Sequence, residues 1–140
     1  MNKKGFTLVE LLAVVVVLAI LALITTAVIS NVIESARKKT FGESAQGIYR
    51  AIELDYTENG YSNTQNYTIS NDNITNTTAN PDYSFTYNGK VNNATGTAQV
   101  TYNDTTGILT INMELKNNNY CATNSSNDNK NDFDVKKGDC

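Results

Sequence analysis

Every residue from position 11 to position 24 is apolar, and the wider stretch 6–29 holds a single charge, Glu10. As an α-helix the wider stretch rises roughly 36 Å, at about 1.5 Å per residue. A bilayer core is about 30 Å thick, so one span fits. Lys3 and Lys4 precede it, which sets the N-terminus on the cytoplasmic side and the rest of the chain outside. The basic ARKK at 36–39 follows the span, and the orientation rests on the short N-terminal flank. With 140 residues in all, the remainder is one domain at most.

A plain membrane anchor accounts for the apolar run. A cleaved secretory signal accounts for it less well. The run is long for the apolar part of such a signal, and no Ala-x-Ala site closes it, ITTAV being the nearest approach. Neither reading explains Glu10. A carboxylate in an inserted helix costs ~2–3 kcal/mol at its centre and less near its end, and such residues usually have a partner. No basic residue within the span can pair with it. A cut between Gly5 and Phe6 creates a partner, because Phe6 then carries a free α-amine that is positive near neutral pH. On a neighbouring helix shifted along the axis, that amine meets the carboxylate. A buried pair of this kind fixes the stagger between subunits.

The stretch KKGFTLVELL, with its basic leader, glycine, phenylalanine and glutamate ahead of the apolar run, resembles the class III signal of type IV pilins and pseudopilins. The resemblance covers residues 3–33. It implies that a prepilin peptidase removes residues 1–5 by cutting after Gly5 and that Phe6 is N-methylated. It also implies that Glu10 pairs with the Phe6 amine of an adjacent subunit during assembly. One departure is plain: the family often has a proline in the apolar half of this helix, where Ala27 stands here, and the only proline is Pro81.

Beyond Thr25 the pattern changes. Ile29, Val32, Ile33 and Ala36, then Phe41, Ala45, Ile48 and Ile52, recur at helical spacing opposite a charged face. This predicts that 30–58 continues the helix as an amphipathic segment packed under a head, ending near Asp55 or Tyr56 at Asn59-Gly60. Gly42 and Gly47 weaken the helix by up to ~1 kcal/mol each and mark a bend or a close contact.

The head, 59–140, reads as β structure. Ala98, Val100 and Tyr102 alternate with polar residues, NDTTG turns the chain, and Leu109, Ile111, Met113 and Leu115 alternate again. Tyr83, Phe85 and Tyr87 alternate before NGK, a hairpin signal leading toward Val91. The Asn- and Thr-rich 61–80 reads as a surface loop with a short strand at best. The expected fold is α+β: a long N-terminal helix whose C-terminal half packs on a small antiparallel sheet of three or four strands, as in a pilin ladle. Cys121 and Cys140 are the only cysteines and lie outside the membrane. A bridge between them closes a C-terminal loop, stabilising by ~3 kcal/mol in the chain-entropy estimate; two free thiols are the alternative. The closed loop resembles the disulfide-bounded region of many type IV pilins.

Other signals are weaker. Asp128, Asp132, Asp134 and Asp139 crowd the C-terminal loop, and some pseudopilins bind calcium near there, but no EF-hand spacing fits and lysines interleave. A solvated polar loop is the preferred reading, and no metal or cofactor is expected. N-x-S/T occurs at Asn66, Asn73, Asn76, Asn93, Asn103 and Asn124, largely by chance in so Asn-rich a chain. Histidine is absent, no nucleophile–base arrangement is visible, and an enzyme is not expected. The net charge of -3 argues against nucleic acid as a dedicated ligand. The reading is a structural subunit of a type IV pilus or related pseudopilus. It begins as a single-pass cytoplasmic membrane protein and ends in an extracellular filament on the bacterial surface. Its expected partners are copies of itself, other pilins, the prepilin peptidase and the assembly machinery of the membrane. The alternative is an extracellular binding module on a single anchor that never polymerises.

Overall fold

The computed structural model describes residues 5–79, 81–89, 91, 93–124 and 132–140, with the backbone alone at 26 and 27. Lys3 and Lys4 of the leader, Lys90 of the NGK turn, and Asp128 and Lys130 of the C-terminal loop lie outside the described residues, as do the side chains of Thr26 and Ala27. The elements are α1 (Leu8–Glu58), β1 (Gln65–Ser70), β2 (Asn73–Asn76), β3 (Tyr83–Thr86), β4 (Thr95–Asn103), β5 (Ile108–Lys116), β6 (Tyr120–Asn124) and β7 (Phe133–Lys137). The chain divides into two compact units, Met1–Arg37 and Lys38–Cys140. This is the expected α+β arrangement of a long N-terminal helix, an antiparallel sheet and a disulfide between Cys121 and Cys140.

In the first unit the apolar side chains of α1 have nothing over them. Phe6, Leu8, the run of valines at 14–17, and residues on to Val32 and Ile33 are all exposed. The helix passes Thr25 without a break, the Thr25 hydroxyl donating back to the Leu21 and Ala22 carbonyls. Ile29, Val32, Ile33 and Ala36 were expected under the head and are instead exposed. The reason is reach: in the second unit the helix residues buried against the sheet begin at Phe41 and end at Tyr56.

In the second unit Phe41, Ala45, Ile48 and Ile52 recur every three or four residues and are buried, joined by Tyr49 and Tyr56. They pack on Tyr67, Ile69, Ile74, Val100, Ile111 and Leu115 from the sheet. Each fully buried aliphatic side chain contributes about 1.5–3 kcal/mol relative to exposure. Gly47 marks a close contact rather than a bend, because a Cβ there would run into the Tyr87 ring. The helix ends at Glu58, the limit of the expected 30–58 segment and two residues past Tyr56. Gly60, at φ +64°, sends its N–H to the Thr57 carbonyl, and Tyr61 sends its N–H to that of Tyr56. The Tyr56 and Tyr61 rings lie 5.8 Å apart beside it. This is a Schellman stop with its hydrophobic contact.

The sheet has seven antiparallel strands in the order β3-β2-β1-β4-β5-β6-β7, not three or four. Two misreadings account for the difference. The stretch 61–80 holds β1 and β2, joined by the two-residue turn Asn71-Asp72, with Asn71 at φ 54°. Tyr67, Ile69 and Ile74 are not isolated but lie buried on the core face. The C-terminal stretch holds β6 as well as β7, and Phe133 and Val135 of β7 alternate inward. Phe133 meets Tyr49 edge-on at 6.1 Å, and Val135 lies against Gly42. The NGK signal is also misread: among the described residues β3 pairs with β2 alone, and Val91 lies in no strand. The β4–β5 hairpin is as expected, with Gly107 at φ +68° in its turn.

Asparagine does the work that this composition hides. The Asn103 carboxamide oxygen accepts from the Thr105 and Thr106 N–H groups, and that of Asn117 accepts from Asn119 and Tyr120. Asn124 extends the sheet with its side chain, accepting from the Met113 N–H at 2.6 Å and donating to the Ile111 carbonyl at 2.5 Å. Asn76 is fully buried, donating to Gln65 and accepting from the Thr78 and Ala79 N–H groups. Short carboxamides of this kind substitute for backbone partners in turns.

Among the described residues one carboxylate is buried. Asp55, 7% exposed, accepts from the Tyr67 hydroxyl at 2.9 Å and from Asn59 at 3.0 Å. Burial pushes its carboxyl above the usual 3.8, the Tyr67 bond opposes this, and the Glu58 charge adds to the rise. Burial and the bond to Asp55 push the Tyr67 phenol up, so it remains a donor. The folded state therefore holds the Asp55 proton more tightly than the unfolded chain. The associated stability is fully present below 3.8 and is lost as pH rises through the raised folded value. Between acid and neutral pH, the melting temperature of the native protein should fall relative to that of Asp55→Asn. Parallel melting curves would refute this linkage. Replacing Cys121 and Cys140 together with serine should lower stability by about 2–4 kcal/mol in denaturant titration.

Candidate processing and assembly site

The residues singled out at the N-terminus lie together at the start of α1. Gly5 precedes the helix, and a Cβ built on it would meet nothing within 4 Å. Phe6 is 79% exposed. The Gly5–Phe6 bond thus lies ahead of the helix, between two exposed residues.

Thr7 and Glu10 are joined by three hydrogen bonds. The Thr7 backbone N–H and hydroxyl both donate to Glu10 Oε2 at 2.8 Å, and the Glu10 N–H donates to the Thr7 hydroxyl at 3.3 Å. This is a capping box: Thr7 is the N-cap, and Glu10 three residues on reaches back to satisfy the cap's own amide. The acid also lies in the first turn, at the positive end of the helix dipole. The Thr-x-x-Glu signature of this box stands in TLVE, a partner for Glu10 that a search for basic residues alone does not find. No hydrogen bond joins Phe6 to Glu10 among the described residues, and Oε1 has no partner among them. The box uses no atom of residues 1–5, so a cut after Gly5 leaves it whole.

The other residues of interest lie in the second unit. Cys121 and Cys140 are bonded, with Cα atoms 5.3 Å apart. Among the described residues no group of three or more acidic, cysteine or histidine side chains is placed to hold a metal ion. Asp134 pairs with Lys136 at 3.2 Å. Of the N-x-S/T asparagines, Asn76 is buried and closed to modification.

Removing the Thr7 hydroxyl in Thr7→Val should weaken the first turn by about 0.5–2 kcal/mol. Faster amide exchange at residues 8–11, with the rest of α1 unchanged, is the expected readout. Unchanged exchange would show that the box contributes nothing in solution.

Among the described residues, α1 is the one helix long and apolar enough to cross a membrane. Neither the curated proteins nor the solved structures include a match to the chain. Residues 1–26 match the family described as the prokaryotic N-terminal methylation motif. That motif implies processing by a prepilin peptidase and fits a membrane-anchored precursor. The chain therefore carries, at residues 1–26, the class III signal of type IV pilins and pseudopilins.

Proposed function

We propose that this chain is a structural subunit of a type IV pilus or a related pseudopilus. It polymerises through its N-terminal helix and displays its head for adhesion, motility or DNA uptake. The observation that carries this reading is the methylation motif joined to a helix whose apolar side chains are bare from Phe6 to Ile33.

The precursor waits in the cytoplasmic membrane with residues 6–29 in lipid. Hydrolysis of the Gly5–Phe6 bond removes the leader and leaves an ammonium on Phe6. Methylation of that nitrogen keeps its charge. Thr7 holds Oε2 of Glu10, which leaves Oε1 to receive the Phe6 ammonium of the adjoining subunit. The pair, out of water, sets the axial register. Burial of apolar surface is worth about 25 cal/mol per Å² removed from water. The helix leaves lipid rather than water, so packing and the polar pair carry more of the cohesion.

One observation favours the alternative of a single anchor that never polymerises. The capping box supplies Glu10 with partners from its own chain, so the acid needs no neighbour to be tolerated. The two roles separate by substitution. Glu10→Gln keeps the capping geometry, since glutamine also closes a capping box, but removes the charge. It should leave membrane insertion and the first helical turn intact and abolish or misregister filaments. Normal filaments from Glu10→Gln would end the pairing role. Mass spectrometry of protein from cells should find methylated Phe6 as the first residue, whereas an intact Met1 would favour the anchor.

A further inference from the structure

We infer that the face of the sheet turned away from α1 is a binding groove for a neutral, hydroxyl-rich polysaccharide. The inference rests on residues of the second unit and needs no filament.

The strand register sets two rows of polar side chains across this face. Asn66 pairs with Gln99 and Gln99 with Asn112, giving a row of carboxamides over β1, β4 and β5. One step along the strands, Thr68 pairs with Thr97, Thr97 with Glu114, and Glu114 with Thr123, giving a hydroxyl row with one acid. Neighbouring members of a row are about 4.7–4.9 Å apart, the spacing of the strands themselves. Together they line a concavity of about 560 Å³.

The rows are partly pinned and partly open. Asn66 donates to the Thr78 hydroxyl at 3.1 Å and accepts from Gln99 Nε2 at 3.1 Å, which fixes both carboxamides. The Gln99 oxygen, the Asn112 carboxamide, the Thr68 and Thr97 hydroxyls and the Glu114 carboxylate have no partner among the described residues. The result is an array of oriented donors and acceptors on rigid strands, which lowers the ordering cost of binding.

The chemistry of the array selects the ligand. An apolar partner would strand buried amides at about 1–3 kcal/mol each. A polyanion would meet Glu114 and, among the described residues that line the groove, no lysine or arginine. A sugar hydroxyl both donates and accepts, as carboxamides and threonine hydroxyls do. A neutral saccharide chain laid across the strands can therefore satisfy successive members of a row.

The test uses the full chain in a detergent without sugar head groups. It is titrated with short neutral glucan, mannan and N-acetylglucosamine oligomers, with polygalacturonate as the acidic comparison, and read by side-chain amide NMR. At least one neutral oligomer should saturate and shift the Asn66, Gln99 and Asn112 amide signals. The double variant Gln99→Ala with Asn112→Ala should lose about tenfold or more in affinity while melting as the native protein does. Should that variant melt early, Gln99→Ala alone is the second probe: a loss of about threefold or more in neutral binding supports the groove, and unchanged affinity overturns it. No binding by any neutral oligomer, equal affinity in a well-folded double variant, or preference for polygalacturonate would overturn the proposal.

Discussion

The first unit of this protein presents a helix surface that its own chain does not cover. Among the described residues, the large apolar side chains from Phe6 to Ile24 and from Val28 to Ile33 are exposed, and no strand or loop of the first unit lies over them. Water tolerates scattered apolar residues but not a contiguous surface of this extent. Lipid and the flanks of like helices are the environments that suit it. The rest of the architecture follows. The second unit keeps its own core, built from the later turns of α1 and the sheet, with no residue of the apolar stretch in it.

Glu10 is where that surface becomes specific. Apolar helices slide past one another with little penalty, so a filament built from them alone would have no preferred stagger. A single carboxylate near one end supplies a mark. The Thr7–Glu10 box makes the mark tolerable to a lone helix, and it engages Oε2. The pairing proposed above would use the other oxygen, so helix capping would not compete with it for the same atom.

The sequence disclosed the two ends of this logic better than its middle. The apolar run, the Gly-Phe-Thr-x-x-Glu spacing and the β4–β5 alternation were legible because each is periodic and flanked by clear punctuation. The capping box was equally legible in TLVE and was overlooked because Glu10 was treated only as a charge. Strands β1, β2 and β7 were hidden by composition. In 61–80 and in the C-terminal stretch, polar residues outnumber apolar ones, and Tyr67, Ile69, Phe133 and Val135 look incidental until their spacing of two is noticed. Asparagine was read as filler. Its actual use in closing turns and extending strands depends on partners distant in sequence, such as Asn124 with Ile111 and Met113, which no local pattern reveals.

The bridge between Cys121 and Cys140 has a mechanical meaning. β7 is the outermost strand on its side and has β6 as its only sheet neighbour, yet its Phe133 and Val135 bear directly on α1. Tension drawn along α1 is thus delivered in part to a border strand, the member of any sheet easiest to peel. The bond from Cys140, just beyond β7, to Cys121 in the strand inside it clamps the far end of that border strand, so a peel started there meets a covalent stop.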